Sequence, residues 1–90
     1  MGKLLFDTTL EIKMDELRTF LNSLSSGEQA VFAHSCGTSI GYLRKALSKN
    51  HELGAALSVL IEKNSNSEVT RQHLHPDDWF KIWPELATAA

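Results

Sequence analysis

The sequence predicts an all-α chain: a compact five-helix domain with an N-terminal strand or flexible arm. Three observations predict it. Two Pro and five Gly in 90 residues leave room for long helices. Apolar residues recur at three- and four-residue spacing from Met14 onward, which is the period of one helix face. Ser25 with Glu28 three residues later has the form of a capping box, a signature of helix starts. Ninety residues make one domain, near the small end of what folds alone. The expected divisions are an arm or strand over 1–13, a folded domain over 14–86 and a C-terminal tail over 87–90.

The elements follow in order. Leu4, Phe6, Thr8, Leu10 and Ile12 alternate with Leu5, Asp7, Thr9, Glu11 and Lys13, the period of two that suggests a strand. A lone strand in a helical domain would be an edge in search of a partner, so a loose arm is the equal alternative. Met14, Leu17, Leu21 and Leu24, with Phe20 beside them, predict an amphipathic helix over about 14–24. The capping box predicts a second helix over about 26–35, with Val31, Phe32 and Ala33 on its apolar side. Gly37 interrupts the pattern. Thr38 or Ser39 can cap a third helix that runs to about 48, with Leu43, Ala46 and Leu47 inward. Asn50 can cap a fourth, in which Leu53, Ala56, Leu57, Leu60 and Ile61 fit one helical face. Asn66 can end it in the left-handed conformation. Thr70 can cap a short turn. A last short helix is expected near Pro76–Trp83, stopped by Pro84, with Trp79 and Trp83 four apart and closing the core. Asp77 and Asp78 suit its positive end.

Two short helices joined by a tight Gly turn suggest a helix-turn-helix. Ala33 is small enough for a close crossing, and Leu43 and Ala46 turn inward to leave the other face free. Gly37 suits a turn that needs positive φ.

Charge falls on the same place. Residues 1–28 carry Lys3, Lys13 and Arg18 against Asp7, Glu11, Asp15, Glu16 and Glu28, a net of −2. Residues 29–51 carry Arg44, Lys45 and Lys49 with no acid, a net of +3. Residues 52–90 return to −3, and the chain totals −2. The distribution, more than the total, points to a partner, and an acid-free stretch suits a polyanion. Arg44 and Lys45 suit phosphates or a guanine edge. Gly41 allows close approach of backbone to a duplex. Tyr42 can stack on sugar or bond phosphate, and Gln29 stands at a helix start whose free N–H groups suit an anion. The candidate DNA-contacting residues are therefore Gln29, Thr38, Ser39, Ile40, Gly41, Tyr42, Arg44, Lys45, Ser48 and Lys49. The plain alternative is a solvated helix face.

The segment from Leu17 to Leu47, with "CGTSIGYLRKAL" at its core, and the later "VTRQHLHPDDWFKIWPEL" together resemble the YdaS/Cro-like helix-turn-helix regulators of phages and prophages. The resemblance covers roughly residues 14–86. It implies a small all-helical, Cro/repressor-like fold, with residues 38–48 as the recognition helix. The family carries an acid where this chain has His73 and a base where it has His75, and its core lacks residues 1–13.

The expected function is a sequence-specific double-stranded DNA-binding transcriptional regulator of phage or prophage origin, read as a repressor, as a homodimer if its operator is palindromic. The alternative is an antitoxin or adaptor that holds a protein partner, such as a toxin, through the same fold. No enzyme, cofactor, metal or membrane partner is expected. A membrane helix needs a long unbroken apolar stretch, and no apolar run here approaches it. The N-terminus is a poor signal peptide. The single Cys rules out an internal disulfide, so a cytoplasmic location is expected. Cys36 with His34, His51, His73 and His75 invites zinc, but "HSC" and "HLH" lack the usual ligand spacing. Cys36 is expected to be a small buried residue.

Overall fold

A computed structural model of the protein describes residues 14–88. Residues 1–13, with the strand-or-arm expectation, lie outside the described residues. Among those described the architecture is all-helical and contains no strand. The helices are α1 (Asp15–Asn22), α2 (Ser26–Ser35), α3 (Ile40–Ser48), α4 (Ala55–Asn64), α5 (Arg71–Leu74), α6 (Trp79–Ile82) and α7 (Pro84–Thr88). Two of these exceed the expected five. The short turn at Thr70 is a helical turn in its own right, and Pro84 both ends one helix and opens another. Pro suits the first helical position, where its missing N–H has no intrahelical partner to lose. The expected C-terminal tail thus starts inside α7.

Local chemistry sets most boundaries. Ser25 Oγ accepts from the Glu28 N–H at 3.2 Å, while Glu28 Oε1 accepts from the Ser25 N–H at 2.8 Å. This reciprocal box starts α2. Ser39 caps α3, its Oγ accepting from the Tyr42 N–H at 3.1 Å, so Thr38 stays in the turn. Thr70 Oγ1 accepts from the His73 N–H at 3.1 Å, and His73 Nδ1 accepts from the Thr70 N–H at 3.0 Å. His73 thus fills the role that Glu or Gln usually plays in a capping box.

Three helices end in the same way. After α2, Gly37 has φ 77°, its N–H donates to His34 O, and the Thr38 N–H donates to Ala33 O. After α3, Asn50 has φ 54°, with Asn50 N–H to Leu47 O and His51 N–H to Ala46 O. After α4, Asn66 has φ 55°, with Asn66 N–H to Lys63 O and Ser67 N–H to Glu62 O. Each is a Schellman closure, in which a left-handed residue lets its own N–H and the next one reach orphan carbonyls.

Asn50 therefore does not cap the fourth helix. Closing α3 requires it in the left-handed region, whereas an N-cap needs an extended backbone. The helix starts later, at Ala55 after Gly54, and its face is turned from the one expected. Leu53 is buried from the loop. Ser58, Ile61 and Ser65 form the buried line, while Ala56 and Leu60 are exposed and Leu57 is half-buried. Ser58 Oγ donates to Gly54 O at 2.9 Å, which meets the need of a buried hydroxyl for a partner.

The core joins Met14, Leu17, Leu21, Phe32, Ala33, Cys36, Leu43, Ala46, Leu47, Leu53, Ile61, Val69 and Leu74. Burying each of the Leu side chains contributes roughly 1.5–3 kcal/mol. Phe20 meets Phe32 at 4.9 Å between ring centroids and holds α1 against α2, in the edge-on arrangement that aromatic pairs favour. The aromatic closure is only half of what the sequence suggests. Trp83 is buried, but Trp79 is half-buried and Phe80 is exposed. α6 stops at Ile82, so the two Trp do not continue along one helix face.

Candidate nucleic-acid interface

The α2–turn–α3 unit places the predicted residues. Ala33 is fully buried and lets α3 pack closely on α2, while Leu43, Ala46 and Leu47 bury the inner side of α3. Gly41, Tyr42, Lys45, Ser48 and Lys49 are exposed. Tyr42, Lys45 and Lys49 follow the i, i+3, i+7 line of a single face. These three side chains, with Ala46 and His51, surround a depression of about 250 Å³. Ser39 and Ser48 lie at the two ends of the helix, and the Ser48 hydroxyl donates back to Lys45 O at 3.0 Å. A β-carbon added at Gly41 would meet only Ser39 Oγ, at 3.9 Å. Packing within the chain therefore does not require Gly there. Thr38 is half-buried in the turn. Ile40 is half-buried and packs against the core, which separates it from the outward residues.

Arg44 is less free than its outward position in the sequence pattern implies. Its Nη2 donates to Asn22 Oδ1 at 3.0 Å and to Gln29 Oε1 at 3.2 Å. Gln29 Nε2 in turn donates to Leu24 O at 3.1 Å. One guanidinium thus fastens the end of α1, the start of α2 and the middle of α3. Gln29 and Arg44, expected separately as anion contacts, are brought together into one fixed group. Asn22 was not legible as a member, because nothing local in the sequence marks a partner so far along the chain. Arg18 makes a matching brace at the other end of α3. Its Nη2 donates to Leu47 O at 3.2 Å, and its Nη1 pairs with Asp15 at 3.2 Å. A cation there also suits the negative end of the helix.

Cys36 is buried, its Sγ 3.7 Å from Leu60 O. Burial pushes its thiol up, and a hydrogen bond involving Asn64 opposes the rise in part. His34 and His51 are exposed. The sequence pairs "HSC" and "HLH" are not drawn together, but His75 lies with two carboxylates. Its Nδ1 is 2.9 Å from Glu52 Oε2 and 3.1 Å from Asp78 Oδ1, and its Nε2 is 2.7 Å from Leu53 O. The His75–Asp78 spacing was visible in the sequence; Glu52, from the loop after α3, was not.

Comparison with protein-family models, with curated proteins and with solved structures finds no match. No helix among the described residues is long and apolar enough to cross a membrane.

Proposed function

We propose that the protein is a sequence-specific double-stranded DNA-binding regulator of the helix-turn-helix class, with α3 entering the major groove. The supporting observation is the exposed side of α3, where Tyr42, Lys45, Ser48 and Lys49 stand together in a stretch free of carboxylates from residue 29 to 51. A major groove admits one helix, and its walls are phosphates. In this reading Lys45 and Lys49 meet phosphates, Tyr42 meets sugar or phosphate, and Gly41 brings bare backbone near the duplex. Gln29 and Arg44 set the docking angle of α3 and present the remaining guanidinium edge to the DNA. A phage or prophage origin and a repressor role go with the family resemblance and are part of the same proposal.

The test is titration of the full chain on a duplex carrying the DNA upstream of its own reading frame. Affinity should fall steeply as salt rises, because phosphate contacts release counterions. Lys45→Ala with Lys49→Ala should weaken binding and lower the salt slope by roughly one for each phosphate no longer neutralised. Salt-independent binding, or a variant that binds as the parent does, overturns the reading.

A second reading has its own observation. Phe20, Leu24, Val31 and Phe32 line an apolar groove of about 650 Å³, and Val31 is 67% exposed. Neither Gln29 nor any residue of α3 lines this groove, so it is a surface separate from the proposed DNA contacts. Exposed apolar surface of this kind suits a protein partner, as an antitoxin or adaptor would need.

A further inference from the structure

Glu52, His75 and Asp78 form a cluster outside the residues proposed to meet DNA. Its members come from three places: the loop after α3, the residue after α5 and the N-cap of α6. His75 is nearly fully buried, while the side chains of Glu52 and Asp78 are each 38% exposed. The imidazole is therefore held inside the fold while both carboxylates reach solvent.

The hydrogen bonding of His75 sets its orientation. Nε2 lies 2.7 Å from Leu53 O. A carbonyl can only accept, so Nε2 carries the proton and donates. Nδ1 then faces two carboxylate oxygens, at 2.9 and 3.1 Å. Two carboxylate oxygens and a ring nitrogen this close together need a proton or a cation between them. A proton on Nδ1 meets that need, but it leaves the group with a net negative charge. A divalent cation balances both carboxylates against a neutral imidazole.

We propose that Glu52 Oε2, His75 Nδ1 and Asp78 Oδ1 bind a divalent first-row metal ion, with water completing the open side. The spacing fits. Ligands at about 2.1 Å from an octahedral metal lie about 3.0 Å apart when adjacent. Both measured separations from Nδ1, 2.9 and 3.1 Å, are close to that. All three ligand atoms lie within 4.8 Å of one another. The donor set, one imidazole and two carboxylates, is one that zinc, manganese and iron accept. The Nε2–H···O=C bond is the arrangement that normally orients a metal-bound histidine and fixes its tautomer. Trp83, edge-on to His75 at 5.5 Å, forms an apolar wall. Metal binding would join the loop after α3 to the C-terminal helices, and so hold the end of the helix that carries Lys45 and Lys49.

The experiment is a titration of the metal-free full chain with Zn²⁺ by calorimetry and by thermal unfolding, with Co²⁺ as a spectroscopic probe. One equivalent should bind, and paramagnetic Co²⁺ should shift and broaden the NMR signals of the His75 ring. The thermal midpoint should rise by about 4 °C or more as binding stabilises the native state. Glu52→Gln and Asp78→Asn keep shape and an acceptor toward His75, and each should lower affinity tenfold or more while the apo chain stays folded. No saturable binding by the parent chain overturns the proposal. Equal binding by both amide variants also overturns it, since the metal would then sit elsewhere. Neither result bears on DNA affinity, so the two proposals fail separately.

Discussion

Two glycines in the α2–turn–α3 unit differ in what they do. Gly37 has φ 77°, and beyond its two chain neighbours no residue lies within 4 Å of where a β-carbon would be. A side chain there is opposed by the backbone conformation alone. Gly37→Val should cost about 1 kcal/mol or more, because a β-branched residue resists positive φ. Gly41 lies in the first turn of α3 with ordinary φ, and a β-carbon there would make only an ordinary contact with Ser39 Oγ. Gly41→Ala should leave stability unchanged or raise it, by up to about 1 kcal/mol. Urea unfolding of the two variants checks both signs. If Gly37→Val matched the parent, the closure of α2 would not depend on a left-handed residue. If Gly41→Ala also kept full DNA affinity, close backbone approach would be removed from the proposed contact.

At the scale of elements, the sequence was most readable where both ends of a helix are written locally. α2 starts at the Ser25–Glu28 box and ends at Gly37, and its limits were legible to the residue. α4 was not, because Asn50 suits either a helix start or a left-handed close. Only the carbonyls of Ala46 and Leu47, which need donors at the end of α3, decide between them. The same misplacement turned the expected apolar face of α4 away from Ser58, whose burial depends on a hydrogen bond that composition does not announce. One contact between elements carries a prediction of its own. Glu62 on α4 accepts from Arg71 Nε at 2.9 Å and from the Arg71 backbone N–H at 2.8 Å. Burial pushes the Glu62 carboxyl up, but the hydrogen bonds and charge of Arg71, with the charge of His73, outweigh it and hold it below its usual value. A carboxyl lowered in the folded state adds stability that is complete above its unfolded value, about 4.3. That stability is lost as pH falls through the lower folded value. Glu62→Gln should therefore cost stability at neutral pH and cost progressively less in urea melts below about pH 4. A cost that stays constant across that range would mean the pair contributes no charge-dependent stability.

Charge, taken over the whole molecule, joins the proposed interface to the rest of the chain. An acidic protein keeps residues 29–51 free of carboxylates, and α3 and the turn before it, in the middle of that stretch, form an exposed surface. That much was legible, because the sign of a charge needs no partner to be read. The fixing of Arg44 by Asn22 and Gln29 was not, since it joins positions that only the packed helices bring together. Two accounts of the acid-free surface remain distinct: a polyanion lies against it, or it is a solvated face. Ser48 separates them. It is exposed in the last turn of α3, three positions after Lys45 and four after Arg44. Ser48→Glu adds a negative charge where Ser48→Ala adds none. Both new residues suit a helix interior, although a carboxylate near the helix C-terminus costs a few tenths of a kcal/mol against the dipole. Folding of both variants should therefore stay close to the parent, which thermal unfolding would verify. On one duplex, the Glu variant should lose clearly more affinity than the Ala variant at low salt, both by repelling phosphate and by drawing Lys45 aside. The gap should narrow as salt rises, because the added repulsion is screened over a Debye length of about 10 Å at roughly 0.1 M salt. A solvated face predicts coincident curves at every salt concentration, and coincident curves would remove the polyanion as the reason these residues avoid acid.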